Sequence, residues 1–459
     1  MTIEQKNANI NWKFSNPKSA ELNKKFLDYC ITDNHPFVID LPKCKGMFIH
    51  TIDGQDIFDW SGLYGSKLLG YNHPGLYEKD YLDKLIFAAN NKLPNPDYFT
   101  PECFEFYQMA KDFAPEIMKK SKELEVYAVN SGAEAVENML KYLISKYNRK
   151  TGMPSDTPRR FIFFKNSFHG RTIFALSITR IHKKVITKDF HGLFSYNIQA
   201  TFPAADFSNL DEPSISHRNR HITDSALSEI ESYLEEYNKE VVAIVIEPIQ
   251  SAGGHHVALP WFFTKLAELA HKYDVYLAFD EVQTGVAASG KRFLIDHYDL
   301  PYPPQALATA KKMGVGVLYM LDHLEDVGVL DSTWGGPLVD MVRVTQELKI
   351  VKRENLIQHA EEMGKYLDDS LRGLAKEFSN IIYNVRGVGL ISGFTVLDPY
   401  GKGLRDKLID IALKKNLLLL ISAGTDSIRL RPNLSVTKKE IDLFIELLAD
   451  SLLTLQKGY

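Results

Sequence analysis

The chain has 459 residues, 45% hydrophobic and 24% charged, with a formal net charge of −4. That length can bury a sizeable core in two or three domains, and the near-balanced charge, with no long basic run, gives no reason to expect nucleic acid as a partner. Cys30, Cys44 and Cys103 are odd in number and unpaired in spacing, which argues against a disulfide framework or a cysteine-built metal site and suits a reducing, cytoplasmic setting; no apolar run reaches the roughly 18 residues of a membrane span.

In chain order, residues 1–35 are polar with scattered apolar positions and read as an N-terminal arm or short helix, with no apolar targeting core at the start. Residues 48–60 alternate around Asp53-Gly54, the signature of a hairpin. Gly62, Gly65 and Gly70 follow, with Tyr64, Ser66 and Lys67 among them, predicting a flexible loop able to approach a ligand closely. From about residue 100, strands alternate with helices. Buried strands are expected at 126–129, 161–164, 241–246 and 275–279, with helices starting at Asn130 and over 227–237 and 262–273. This alternation predicts an α/β fold with a mostly parallel sheet covered by helices. The segment 204–224, rich in Ser, Asn, Asp, Pro and His, reads as a surface excursion. After Gly335-Gly336, helices at 340–352, 356–378, 404–415 and 438–455 alternate with strands at 385–396, 417–421 and 428–430. That reads as a smaller α+β unit. The expected division is an N-terminal arm and part of a small domain (1–75), a large domain (76–340) and a C-terminal small domain (341–459).

Four places carry chemistry. Ser131-Gly132-Ala133 lies between a strand and a helix start, where free N–H groups and the helix dipole suit a phosphate. Phe168-His169-Gly170-Arg171 offers an aromatic face for a planar ring and a guanidinium fork for a carboxylate. Val275-Tyr276-Leu277-Ala278-Phe279 runs into Asp280-Glu281, placing acids at the carboxyl end of a strand, where α/β sheets bind ligands. Lys311-Lys312 follows Ala306-Leu307-Ala308-Thr309-Ala310 and precedes Gly314 and Gly316; a partly desolvated lysine there becomes a nucleophile for aldehydes. Each has a plainer reading: a helix cap, a core aromatic, a solvated charge pair. Together, in this order, they are what pyridoxal 5'-phosphate requires. A dinucleotide-dependent oxidoreductase would need Gly-x-Gly-x-x-Gly after the first strand, and none is present. His255-His256 lacks a third ligand, so no metal is expected.

Over nearly its whole length the chain resembles the class III (fold type I) pyridoxal-phosphate aminotransferases, most closely their lysine-specific members. The markers include Asn130-Ser131-Gly132-Ala133-Glu134, Ser167-Phe168-His169-Gly170-Arg171, Glu247-Pro248-Ile249-Gln250, Phe279-Asp280-Glu281-Val282-Gln283, Lys311-Lys312, Ser332-Thr333-Trp334-Gly335-Gly336 and Ile428-Arg429-Leu430-Arg431-Pro432. The resemblance implies that Lys311 forms the Schiff base with the cofactor and that Asp280 pairs with its pyridinium nitrogen. Gln283 would contact the ring hydroxyl. Ser131, Gly132 and Ala133 would bind phosphate, and Phe168, His169 and Glu247 would surround the ring. Thr333 would reach the cofactor of the other subunit in a homodimer. Arg171 would take the carboxylate of the amino donor, and Arg429 the α-carboxylate of 2-oxoglutarate or glutamate. The implied reaction moves the terminal amino group of L-lysine, or a similar ω-amino acid, to 2-oxoglutarate, giving glutamate and 2-aminoadipate 6-semialdehyde. Alternative donors are 4-aminobutyrate, ornithine or a diamine; a non-catalytic protein on this scaffold is a further alternative. Two positions depart from the pattern. Ala252 stands where such enzymes carry a glutamate that neutralises the arginine equivalent to Arg429, and Thr309-Ala310 replaces the usual Phe-Gly before the lysine pair.

Overall fold

The computed structural model describes residues 11–32, 35–95, 97–154, 156–182, 186–190, 196–208, 216–237 and 239–458. Pro17–Phe26 forms the short N-terminal helix. Strands β1 (Phe48–His50) and β2 (Asp56–Asp59) pair antiparallel as the expected hairpin. Gly54 takes φ +82° at its turn, a conformation that a Cβ would crowd.

In chain order the next strands are β3 (Glu125–Val129), β4 (Arg160–Phe164), β5 (Ile198–Ala200), β6 (Val241–Ile246), the two-residue pair β7 (Ile249–Gln250) and β8 (His256–Val257), β9 (Tyr276–Asp280), β10 (Ala306–Thr309) and β11 (Gly316–Met320). Seven of these form one sheet in the order β3-β11-β10-β9-β6-β4-β5. Parallel pairing runs from β5 through β4, β6 and β9 to β10. β11 opposes both β10 and β3, so it alone runs against the rest. Only residues 310–315 separate it from β10, far fewer than the dozen or so a parallel crossover needs. Every residue of β6, β10 and β11 is buried, which is why these stretches are apolar throughout rather than alternating.

Both faces of the sheet are covered. Ile244 and Ile246 of β6 join one hydrophobic core, Ala243 and Val245 the other. The helix Gly132–Thr151 packs Ala135, Val136, Met139, Leu140 and Leu143 into the second core, at the predicted spacing. It ends on Gly152 at φ +63°. Helices Pro260–Lys272 and Leu338–Arg353 line the first core.

The remaining strands are β12 (Ile382–Val388), β13 (Ile391–Val396), β14 (Leu418–Leu419), β15 (Ile421–Ala423) and β16 (Ser427–Leu430). β12, β13, β16 and β15 make an antiparallel sheet, and β14 joins β2 in parallel. The last quarter of the chain thus returns to the N-terminal hairpin. Helices Leu356–Glu377, Leu404–Asn416 and Lys438–Gln456 accompany it.

Some expectations need correction. The single strand expected at 385–396 is a hairpin, reversing where Gly389 takes φ +59°. The helix expected from residue 227 begins at His217, inside the stretch read as a surface excursion; residues 209–215 of that stretch lie outside the described residues. Helices Lys79–Asn90 and Pro101–Asp112 and strands β5 and β11 were not anticipated. Among the described residues no helix is long and apolar enough to cross a membrane.

Candidate active site

Because β4, β6, β9 and β10 are parallel, their carboxyl ends open on one edge of the sheet. Just past those ends lie Phe168 and His169, Glu247, Asp280 and Lys311. β3 ends on the same edge, since Val129 pairs with Gly316, and delivers Ser131 and Gly132. These residues line one cavity of about 380 Å³, with Ala133, Arg171, Ala252, Gln283 and Arg429 also in its wall. Thus every predicted site residue except Thr333 meets here. Thr333 is exposed and outside this cavity.

Local sequence fixes the floor. Ser131 caps the helix that begins at Gly132, its Oγ accepting the Glu134 N–H at 3.2 Å. Glu134 reaches back, Oε2 accepting the Asn130 N–H at 2.8 Å, a reciprocal arrangement close to a capping box. A Cβ on Gly132 would lie 2.7 Å from Val282 Cγ1, and one on Gly316 would lie 2.3 Å from the Ser131 carbonyl oxygen. Glycine is therefore required at both places by close packing.

The two adjacent acids separate. Asp280 Oδ2 is 2.8 Å from His169 Nδ1, and Oδ1 accepts the Val282 N–H at 2.9 Å. Burial opposes charge on His169, but the hydrogen bond and attraction of Asp280 hold its pKa above the usual value. Glu281 instead accepts from the N–H groups of Leu294 and Ile295 and from the Thr284 hydroxyl, all at 2.8–2.9 Å. It is absent from the cavity wall.

The lysines separate too. Lys311 Nζ stands 3.0 Å from Gln283 Oε1. Desolvation, reinforced by the charge of Arg429, lowers its pKa to about 8. Its backbone lies at φ +27°, unusual for a side chain with a Cβ. Lys312 turns away and donates to the Lys67 carbonyl at 2.8 Å. Glu247 accepts the Phe168 N–H at 2.8 Å, and burial raises its pKa to about 7.

At the other end of the cavity, Arg429 is 8% exposed. Its Nη1 donates to Ser251 Oγ at 3.1 Å and to Gln283 Oε1 at 3.4 Å. Burial lowers its pKa to about 10. Arg171 is exposed at the rim. The glycine-rich loop after β2 is held close rather than free: a Cβ on Gly65 would meet Gln283 Nε2 at 2.1 Å.

The family described as aminotransferase class-III matches residues 29–452. The chain belongs to the class-III aminotransferases. It is a pyridoxal-phosphate-dependent enzyme of the α/β fold type I, acting on amino acid and keto acid substrates. An L-lysine-epsilon aminotransferase of Mycobacterium tuberculosis is 31% identical over 428 residues, covering 90% of this chain and 91% of that protein. A probable mitochondrial 4-aminobutyrate aminotransferase of Caenorhabditis elegans is 29% identical, covering 98% of this chain and 95% of that one. A solved lysine aminotransferase from M. tuberculosis superposes with a TM-score of 0.86 at 29% identity, over 96% of this chain and 99% of that chain.

The aminotransferase cavity fits the family's cofactor on its own chemistry. It offers a lysine of lowered pKa, a carboxylate braced by a buried histidine, and a glycine-walled helix start. Gln283 Nε2 and His169 Nε2 are buried without partners among the described residues. Sequence reasoning assigned no role to Ser251 or Arg431, although Arg431 Nη2 donates to Ser251 Oγ at 2.6 Å directly behind Arg429. The available signal was the alternation of Arg429 and Arg431 along a strand, which puts both on one side.

Proposed function

We propose that this aminotransferase takes the terminal amino group of L-lysine, or a similar ω-amino acid, and gives it to 2-oxoglutarate. The observation that carries the reading is the pair of guanidinium groups in one cavity wall, Arg429 buried and Arg171 exposed. Arg171 would orient the carboxylate of the donor, leaving its far amino group to reach Lys311. Arg429 would take the α-carboxylate of 2-oxoglutarate or glutamate. The identity to an enzyme named for the lysine ε-amino group supports the choice of donor.

When bound, pyridoxal 5'-phosphate supplies an aldehyde for the amino group and a ring that accepts the electrons released from the substrate carbon. The chain's own residues do the rest. Lys311 would hold the aldehyde and carry the proton to and from the carbon bearing nitrogen. Asp280, braced by His169, would accept the ring N–H, and Gln283 would face the ring hydroxyl. Ser131, Gly132 and Ala133 would hold the phosphate, with Phe168 on the ring face. Thr333 would serve the site of a second copy in a homodimer.

Holoenzyme mixed with single amines tests the donor, by loss of the cofactor's visible absorbance. L-Lysine is expected to bleach it fastest. Faster bleaching by 4-aminobutyrate would replace this reading with the second one, which the 29% identical relative supports.

Ala252 sharpens the proposal. Arg429 makes no ion pair with an acid among the described residues, and its hydrogen-bond acceptors are neutral. Glu247 acts on it only through space, and a buried cation with no hydrogen-bonded acid favours ligands that bring a carboxylate to it. Ala252→Glu should therefore slow the glutamate half-reaction relative to the lysine half-reaction by about tenfold, the scale of one charge-pair contact. An unmoved ratio in stopped-flow traces would refute the role given to position 252.

A further inference from the structure

Two buried guanidinium groups converge on one hydroxyl. Ser251 Oγ accepts from Arg431 Nη2 at 2.6 Å and from Arg429 Nη1 at 3.1 Å. A serine hydroxyl has two acceptor positions and one hydrogen. With both acceptor positions turned to cations, the hydrogen is the polar capacity that remains. No protein acceptor for it stands among the described residues. Ser251 is 1% exposed and forms part of the cavity wall.

Among the described residues no acid forms an ion pair with either arginine, and Glu247 acts on Arg429 only through space. Arg431 also donates to the carbonyls of Ser392 and Leu430 and to His255 Nδ1. All of these acceptors are neutral, His255 because burial and the adjacent arginines keep it from protonating. Nor can the hydroxyl move far. The turn that carries it, Ser251–Gly254, is tied down where Arg386 donates to the carbonyls of Gly254 and His255, both at 2.7 Å.

We propose that Ser251 is a substrate-binding residue: its hydroxyl hydrogen is donated to the carboxylate that docks on Arg429. Cationic donors on the oxygen draw electron density from the O–H bond and strengthen it as a donor, and an ionised acceptor makes the bond stronger still. The inference rests on the carboxylate role proposed for Arg429. It adds that the subsite is a two-part clamp, a guanidinium and a hydroxyl, fixed before the ligand arrives. Only a ligand with a carboxylate at that end uses the clamp. 2-Oxoglutarate and glutamate do, whereas lysine reacting through its terminal amine brings its carboxylate to Arg171.

The test compares two half-reactions of the holoenzyme by stopped flow, one driven by L-lysine and one by 2-oxoglutarate. In Ser251→Ala the apparent dissociation constant for 2-oxoglutarate is expected to rise about tenfold relative to that for lysine, the scale of a lost hydrogen bond to a charged group. Ser251→Thr keeps the hydroxyl and should return the ratio to within about threefold of the parent. Ser251→Cys, a near-isosteric weaker donor, should fall between, and it carries the test if Ser251→Ala does not fold. Equal weakening of both half-reactions would overturn the inference, because the hydroxyl would then only anchor the arginines. So would a selective loss in Arg429→Lys with no change in Ser251→Ala. If Arg429→Lys leaves 2-oxoglutarate binding intact, the role of Arg429 falls, and the inference with it.

Discussion

Asp280 and Glu281 are neighbours in sequence, both buried, and serve different ends. Asp280 lines the cavity, and Glu281 ties the backbone at Leu294 and Ile295 to the strand end. Removing Glu281 from water raises its pKa from 4.5 to about 8. Because the folded value lies above the unfolded one, the folded chain keeps a proton between about pH 4.5 and 8 that the unfolded chain has released. This group's contribution to stability is thus complete at the acid end and declines as pH rises through that window, by up to about 1.4 kcal/mol per pH unit. Glu281→Gln should flatten the fall in melting temperature between pH 5 and 8; an unchanged slope would show that Glu281 ionises normally. Asp280→Asn should leave the melting temperature within a few degrees but lower kcat by about a hundredfold or more, the usual loss when a preorganised charge is removed from a site. The strand end was legible because five apolar residues run straight into acids. The choice between the acids came from the family resemblance, and the structure supplies its physical reason: the first faces the cavity and the second faces backbone donors. The buried pair Arg429 and Arg431 was harder to read, since arginines without nearby acids look like solvated surface.

At the scale of elements, the proposed cofactor cradle is made where β3, β11 and the helix Gly132–Thr151 approach each other. Gly316 allows that approach, because a Cβ there would sit 2.3 Å from the Ser131 carbonyl. Backbone cannot rotate aside as a side chain can. Gly316→Ala should therefore cost about 1–3 kcal/mol, the range for overpacking, and open the helix start proposed to receive phosphate. Equilibrium dialysis should show weaker cofactor retention along with a lower melting temperature. Retention equal to the parent would separate the glycine from the cradle. β11 itself escaped the sequence reading for a related reason: Gly314 and Gly316 flank the turn that starts it and read as loop. The helix Lys79–Asn90 escaped because Leu85-Ile86-Phe87-Ala88-Ala89 run consecutively and hide the helical period; only Tyr81 and Ala88 are buried. β3, β4, β6 and β9 were read within one residue at each end, since a short uninterrupted apolar run in an α/β chain is the mark of a strand covered on both sides.

A single chain leaves apolar surface exposed, and its site is proposed to borrow a residue from a second copy. Phe87, Tyr98, Phe99 and Phe104, from the helices after β2 and the segment between them, are 63–75% exposed. Apolar side chains in such number seek a partner surface. Trp334 is 44% exposed, beside Thr333, whose proposed role lies in another subunit's site. A twofold dimer would meet both needs, because one self-complementary face can then carry Thr333 across in both directions. The proposed large domain of 76–340 contains all of these residues. Mixing two inactive variants tests the arrangement. Lys311→Ala loses the amine in its own site but keeps Thr333 for its partner. Thr333→Val keeps the amine but deprives its partner's site. A hybrid dimer then contains one site with the parental Lys311 and, from across the interface, the parental Thr333. Random reassortment makes half the dimers hybrid, each with one of two sites complete, so about a quarter of parental activity should appear after subunit exchange. Activity that never exceeds that of the two variants measured apart would place Thr333 in its own chain's site, or in none.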